Sequence, residues 1–407
     1  MNTPCDTATP SPPERALHLR RVLAECGRAA PGPGLESAGP AEATVPPPDE
    51  VLGRVDAVLR AMPRDEVPDP AAFEQALKTL FLYGEGALRK LALPESDTPA
   101  FGLSGDQMAS LEAIVITDGS RPSFLLRQGA VAAEHPFLAD WRDPMADFAS
   151  RLQTLAGAVG RIQPGGGHAS RFAGTGTLVD RDKGLVLTNF HVVDDARSVF
   201  GVEMENDGAG GLRVLGELFI DFDGEVGTAG ENLFKVVAVQ LPPGAGRGFG
   251  ALDAAVLRIE SAGPNSRLPD AQALLSADMH FANGGSEMLA TIGFPGTPTQ
   301  SSPLGTTVDW NFVVKTLFGN RFGVKRVAPG KFMAPPGSVT LDASKRVLTH
   351  DATTFGGSSG SLIFALGEEA APAFGLHFAG VTLSANHAVA LARAADALRS
   401  VGLALQD

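Results

Sequence analysis

Cysteine is almost absent from this chain. Its 407 residues hold two, Cys5 and Cys26, and everything beyond Cys26 has none. A disulfide framework is therefore excluded for nearly the whole chain, which must rely on packing and suits a reducing compartment. A basic excess is also missing: 33 Lys and Arg face 46 Asp and Glu, for a net charge of −13. Without a basic stripe, neither nucleic acid nor an anionic membrane surface is an expected partner. No run approaches the ~18 consecutive apolar residues that a membrane-spanning helix requires. The opening Met1-Asn2-Thr3-Pro4-Cys5-Asp6 lacks a basic stretch leading into an apolar one, so no secretory leader is expected. These absences together predict a cytoplasmic location. His168, His280, His350 and His387 are scattered, with no metal-like pair at short spacing. No glycine motif for phosphates stands at a strand–helix boundary, and Gly165-Gly166-Gly167 after Pro164 reads as a loop. No metal and no cofactor are expected. Hydrophobic residues make up 44% of the chain, enough for a sizeable core.

The composition changes along the chain. Residues 1–47 are rich in proline and alanine and read as a disordered tail, with Pro10-Ser11-Pro12-Pro13 and Val45-Pro46-Pro47-Pro48 opposing helix. Only Glu14 to Cys26 has the makings of a short helix. Residues 48–142 read as a small, mostly α-helical accessory module. Val51, Val55, Val58 and Leu59 recur at helical spacing. Asp69-Pro70 places a capping residue before a proline at the first helical position. Ser104 can cap a further helix through Leu111. Ile114-Val115-Ile116 and Ser123-Phe124-Leu125-Leu126 flank Asp118-Gly119 and predict strand, turn, strand.

Residues 143–407 form the third unit. Met145, Phe148, Leu152, Leu155 and Val159 predict a helix over 143–158 leading into a strand at Val159-Gly160-Arg161-Ile162. Short apolar runs then alternate with turn residues to about residue 390. Examples are 184–187, 234–239, 288–292 and 381–383. Many short punctuated strands predict a mainly β barrel or sandwich. Leu391 to Leu398 suits a closing helix.

Three segments of this β-rich region carry chemistry. Leu187-Thr188-Asn189-Phe190-His191-Val192-Val193 presents a histidine, and Leu252-Asp253-Ala254-Ala255-Val256-Leu257 an aspartate, both in apolar surroundings. Thr354-Phe355-Gly356-Gly357-Ser358-Ser359-Gly360-Ser361 is a glycine turn able to present one hydroxyl among backbone N–H groups. A serine hydroxyl is a poor nucleophile at neutral pH and needs a base, which in turn needs an orienting partner. Ser359 is the candidate nucleophile, His191 the base and Asp253 the group that fixes its tautomer. The N–H groups of Gly357 and Ser359 are candidate donors to the oxyanion of a tetrahedral intermediate.

In that order, the chain resembles the bacterial trypsin-like serine peptidases, in the branch that includes glutamyl endopeptidases. Thr188-Asn189-Phe190-His191-Val192-Val193 is similar to the family's histidine motif. Asp253-Ala254-Ala255-Val256-Leu257 is similar to its aspartate motif, and Ile292-Gly293-Phe294-Pro295-Gly296 to the turn that follows. Gly357-Ser358-Ser359-Gly360-Ser361 is similar to the nucleophile motif, and Gly375-Leu376-His377-Phe378-Ala379-Gly380 to the wall strand of the specificity pocket. The likeness covers roughly residues 159–405. It implies a chymotrypsin-like double β-barrel, a serine endopeptidase acting on protein or peptide substrates, and no cofactor.

Thr353, six before the nucleophile, is not acidic, which gives no support to Arg/Lys specificity. The resemblance to glutamyl endopeptidases implies that Thr354 and His377 bind a substrate carboxylate, hence an acidic preference at the residue before the cut (P1). Insertions at 200–250 and 297–350 depart from the family, and 318–326 is placed to edge the cleft. By analogy alone, the helical module is expected to dock a protein partner. Two other readings remain: a scaffold that binds partners through a peptidase fold, and an esterase sharing the chemistry. Full biological function in a Ser359→Ala variant would favour the first, and ester cleavage without peptide cleavage the second.

Overall fold

The computed structural model describes most of residues 45–406, with helical positions 16–17, 19–20 and 22–23 before them. Segments 24–44, 93–101, 166–170, 280–287, 298–305, 367–371 and 382–384 and a few single residues lie outside the description. The Gly166-Gly167 pair, His168, His280 and most of the strand expected at 381–383 fall among these.

The helical region begins with α1 (Pro48–Arg60), which buries Val51, Val55 and Leu59. Helix α2 (Pro70–Leu91) starts as its sequence dictates: the Asp69 carboxylate accepts from the N–H groups of Ala71 and Ala72, and Pro70 needs no N–H partner. Helix α3 (Gly105–Thr117) opens with a complete capping box, Ser104 to the Gln107 N–H and Gln107 back to the Ser104 N–H. It absorbs Ile114-Val115-Ile116, which the sequence reading gave to a strand. The helix is buried on nearly every side. A short all-apolar run carries no periodicity to separate buried helix from buried strand, and the cap decides. Only β1 (Phe124–Leu125) remains of the expected pair of strands. Helix α4 (Arg142–Ala158) then hands the chain to β2 (Val159–Pro164), at the expected boundary.

Two closed six-stranded barrels follow, as the mainly β, chymotrypsin-like expectation requires. The first joins β2, β3 (Gly174–Asp180), β4 (Leu185–Thr188), β9 (Ala255–Ser261), β8 (Leu233–Gln240) and β7 (Leu218–Asp221). β8 pairs with β9 and β7 with β2, which closes the ring. The hairpin β5 (Met204–Asn206) and β6 (Leu212–Val214) hangs on β8. Helix α5 (Phe190–Ser198) follows β4 directly. The second barrel joins β10 (Met288–Gly293), β13 (Leu362–Ala365), β14 (Gly375–Val381), β15 (Ala385–Ala390), β12 (Val347–His350) and β11 (Arg326–Ala334). β11 pairs with β10 to close it. Closure gives each of the twelve barrel strands a partner on both sides, which limits the exposed edges. Helix α6 (Trp310–Leu317) lies in the 297–350 insertion, and α7 (Leu391–Ser400) closes the chain.

The helical region is not a separate body. Its buried residues Leu80, Leu88, Leu111 and Ile114 belong to the same apolar cluster as Ile292, Val327, Leu362 and Leu376 of the second barrel. β1 adds to the edge of that barrel through β11. Even the stretch read as a tail contributes: Ala16, Leu19, Val22 and Leu23 are buried in this cluster. The proline-rich flanks hid an apolar stripe at helical spacing.

Asp106 at the start of α3 ties this region to the insertion. Its carboxylate accepts from the Thr307 hydroxyl at 2.8 Å, the Trp310 Nε1–H at 2.9 Å and the N–H groups of Thr307 and Val308. Asp106→Ala would strand the buried Trp310 Nε1–H and take the acceptor from the more accessible donors of Thr307 and Val308. The expected loss is about 2–4 kcal/mol of unfolding free energy, read from urea denaturation. A loss below about 0.5 kcal/mol would show that water replaces the carboxylate.

Candidate active site

His191 does not lie in a strand. It is the second residue of α5, just past the end of β4. Asn189 turns the chain there, its Nδ2 donating to the Asp253 carbonyl at 2.8 Å. The Asp253 carboxylate is 3% exposed and accepts twice: Oδ1 from the His191 backbone N–H at 3.0 Å, and Oδ2 from His191 Nδ1 at 2.8 Å. An ionised carboxylate cannot donate, so Nδ1 carries the hydrogen and Nε2 is left as acceptor. The same carboxylate sits at the positive end of the short helix. Arg247 braces the arrangement from outside. It pairs with Asp194 at 2.6 Å and Asp195 at 2.5 Å, and donates to the His191 carbonyl at 3.4 Å.

The serine turn is held from three directions. Thr175 N–H donates to the Ser359 carbonyl at 2.8 Å, and Thr175 Oγ1 to the Gly357 carbonyl at 2.8 Å. Gly360 N–H donates to the His377 carbonyl at 2.9 Å. Gly357 and Gly360 both have φ of 92°, which favours glycine. A Cβ on Gly357 would meet the Phe172 ring and the Phe294 carbonyl at 2.7 Å, and one on Gly360 would land on the Thr175 carbonyl.

These bonds aim the expected donors. The Gly356 carbonyl accepts from Gly296 N–H, and the Ser358 carbonyl from Ser361 N–H. In a planar peptide the N–H points opposite to its C=O, so the Gly357 and Ser359 N–H groups face the other way. Neither has a hydrogen-bond partner among the described residues. Ser359 Oγ makes no hydrogen bond to His191 among the described residues; such catalytic contacts often tighten only with substrate bound. The two residues nonetheless share a wall. A Cβ on Gly174 would touch both Val192, next to His191, and the Ser359 carbonyl.

The specificity candidates behave differently from each other. The Thr354 hydroxyl donates to Asn386 Oδ1 at 2.8 Å, and the Asn386 amide is oriented by donating from Nδ2 to the Ala352 carbonyl at 2.6 Å. The hydroxyl hydrogen of Thr354 is thus committed to Asn386. His377 is 3% exposed, on β14. Its Nδ1 lies 3.3 Å from His350 Nε2, and His350 is fully buried. His387 stands on β15 opposite Ala379, edge-on to the Phe249 ring at 4.9 Å.

Two of the histidines read as scattered, His350 and His387, converge with the specificity candidate His377 inside the second barrel, while His168 and His280 lie outside the described residues. Burial lowers His350 and His387 to about 4 and pushes His377 well below its ordinary value, so all three are neutral at pH 7. Phe318 and Phe322 of the insertion pack on Phe355, 5.2 and 6.3 Å between centroids, beside the serine turn. Sequence reasoning missed Thr175, Asn386 and Arg247, whose roles exist only through contacts with distant segments.

The family model described as "Trypsin-like peptidase domain" matches residues 174–370. A probable serine protease of Lysobacter enzymogenes is 43% identical over 392 residues, covering 96% of this chain and 98% of that protein. Among solved structures, the inactive form of Rv3671c from M. tuberculosis aligns at 17% identity. It covers 61% of this chain and 88% of that one, with a TM-score of 0.34. Neuropsin, a serine protease expressed in the limbic system of mouse brain, aligns at 13% identity over 60% of this chain and 94% of that one, with a TM-score of 0.38.

Proposed function

Because this chain belongs to the trypsin-like serine peptidases, we propose that it cleaves peptide bonds by attack of Ser359, with His191 as base and Asp253 as the group that orients it. The observation that carries this assignment is the double acceptance of His191 by Asp253, at 3.0 and 2.8 Å. It leaves Nε2 free to accept a proton, as a general base requires. Nε2 takes the Ser359 proton as Oγ attacks the scissile carbonyl. The imidazolium that forms is stabilised by the Asp253 carboxylate. The oxyanion is met by the N–H groups of Gly357 and Ser359, already oriented and so needing no rearrangement. His191 then returns the proton to the leaving amine, and water repeats the cycle on the acyl-enzyme. A fluorophosphonate probe followed by peptide mapping tests the nucleophile: labelling at Ser359 is expected, and labelling elsewhere would overturn the assignment.

The preference at P1 is for acidic residues in this reading, and His377 carries it. A neutral imidazole can donate from only one nitrogen. If the Nε2–H of His350 donates to His377 Nδ1, the proton of His377 sits on Nε2 and is available to a substrate carboxylate. A buried carboxylate needs such a donor to offset its desolvation. Thr354 contributes as a wall whose hydroxyl is already engaged by Asn386. His377→Ala is expected to lower kcat/KM for P1 glutamate by roughly 10- to 100-fold relative to P1 leucine, the range of a hydrogen bond to a charged group. A library of peptides read by mass spectrometry measures this. An unchanged P1 profile in the variant would end the proposal.

A further inference from the structure

The segment between His350 and the serine turn is pinned along both edges, and one edge belongs to the helical region. Residues 351–354 lie past the end of β12 with no regular secondary structure, and successive residues are held by different partners. Ala352 and Thr354 are held by Asn386 of β15, through the Ala352 carbonyl at 2.6 Å and the Thr354 hydroxyl at 2.8 Å. Asp351 and Thr353 are held by one residue, Arg121. Its guanidinium NH2 donates to Asp351 Oδ2 at 2.7 Å, and its carbonyl accepts from Thr353 Oγ1 at 2.6 Å. Asp351 Oδ1 also accepts from the Lys331 N–H at 2.6 Å, which fixes the carboxylate in the sheet.

All three partners are buried: Arg121 at 4%, Asp351 at 8% and Thr353 at 7% exposure. Water cannot substitute for either bond at such a site. Arg121 itself is anchored within the helical region. Its N–H donates to the Val115 carbonyl of α3 at 3.1 Å, and its NH1 to the Ser120 carbonyl at 2.7 Å. That carbonyl also accepts from Trp141 Nε1 at 3.2 Å, and the guanidinium lies 5.9 Å from the Trp141 ring centroid. The turn before Arg121 is tied to α1 by Arg54 and Asp118 at 3.1 Å.

We infer that Arg121 is a positioning residue for substrate recognition, supplied by the helical region, which lies outside the matched peptidase domain of 174–370. It fixes the segment that carries Thr354 and leads to Phe355, and so sets the spacing between the pocket wall at Thr354 and the facing strand at His377. This rests on the reading of Thr354 and His377 as pocket residues. The helical region is then part of the recognition machinery of the barrel, not a separable adaptor. The geometry favours this because two alternate residues of a catalytic-loop segment are bonded to the same buried side chain and backbone of one distant residue.

The test uses the full chain. Arg121→Ala alone is a poor probe, since it leaves a buried Asp351 charge without its cation and invites unfolding. Two gentler variants replace it. Thr353→Val removes only the hydroxyl that reaches Arg121. Arg121→Met combined with Asp351→Asn removes both charges together at similar volume. Each is measured for its thermal midpoint, its KM and kcat on peptide substrates, its P1 profile and its rate of labelling by a small fluorophosphonate.

The expected result is a rise in KM of about tenfold or more with a flattened P1 profile, as a small misplacement of a positioning group produces. Labelling of Ser359 stays within about twofold of wild type, because the small probe does not use the pocket. Arg121→Lys, which can pair Asp351 again, is expected to recover part of the KM. Wild-type KM and P1 profile in the folded variants would overturn the inference. So would a fall in kcat and labelling that merely tracks lost stability. Absence of a glutamate preference in the wild type counts against the acidic pocket alone, because the role of Arg121 is read from the difference between wild type and variants.

Discussion

Ser359→Ala is expected to lower kcat for peptide cleavage by on the order of a millionfold, as nucleophile removal does in other serine peptidases, while the fold survives. The physical basis lies in what remains. Alanine keeps the backbone of the turn, so the bond from Thr175 N–H to the residue-359 carbonyl and that from Gly360 N–H to the His377 carbonyl are retained. The N–H groups of Gly357 and residue 359 can still polarise a carbonyl, which leaves a small residual rate through water. What disappears is the covalent step that splits amide hydrolysis into two easier reactions. The check is paired: a fluorogenic peptide assay for activity and a thermal melt for folding. A folded variant keeping more than a hundredth of the wild-type rate would mean that Ser359 is not the nucleophile. A variant losing both activity and fold would instead point to a structural role for the hydroxyl.

Asp253→Asn is expected to lower kcat by about 10⁴-fold, the loss known for this substitution in related triads. The geometry states why so conservative a change costs so much. Asp253 accepts on both oxygens, from the His191 backbone N–H and from Nδ1. Asparagine has one acceptor. If its oxygen stays on the backbone N–H, its amide hydrogens face Nδ1 and force the imidazole hydrogen onto Nε2. In that tautomer Nε2 cannot take the proton of Ser359. Loss of the carboxylate also removes a negative charge from the start of α5, worth about 0.3–1 kcal/mol. The measurement is kcat on a peptide substrate beside a denaturation curve. A variant within tenfold of wild type would show that Asp253 does not set the tautomer. The two substitutions are also expected to be grossly non-additive, because each disables the same unit.

Much of the fold was legible one segment at a time. Asp69-Pro70 and Ser104 announced helix starts, because capping satisfies orphan N–H groups with side chains two or three residues away. The alternation of short apolar runs and turns announced a β-rich region, and the boundary at Val159 came from a change of period. Misreadings arose where local signals were silent. Ile114-Val115-Ile116 has strand-forming side chains, yet it lies in a helix buried nearly all round. The buried Ala16, Leu19, Val22 and Leu23 fall in the one stretch of the N-terminal segment with the makings of a helix, yet its proline-rich flanks had the whole read as a tail.

The proposed trio stands out in the sequence for a related reason. His191, Asp253 and Ser359 each stand in a short segment whose residues do local work: a turn after a strand, an acceptor before one, a glycine turn with positive φ. Such work leaves its mark in neighbouring residues, so it shows in the chain itself. The assembly of His350, His377 and His387 left no such mark. They come from β12, β14 and β15, which become neighbours only when β12 pairs with β15 and β14 with β15. Arg121 is further removed, 230 positions from the Asp351 it holds. By itself the sequence determined the barrel class, the helix starts and the residues with the chemistry of a serine peptidase, because propensity, capping and turn geometry act over a few residues. Only the tertiary structure decided which histidines meet, that Thr354 spends its hydrogen on Asn386, and that Arg121 of the helical region bonds Asp351 and Thr353. Those outcomes depend on barrel closure and on burial, which remove water as the competing partner and so make each distant contact decisive.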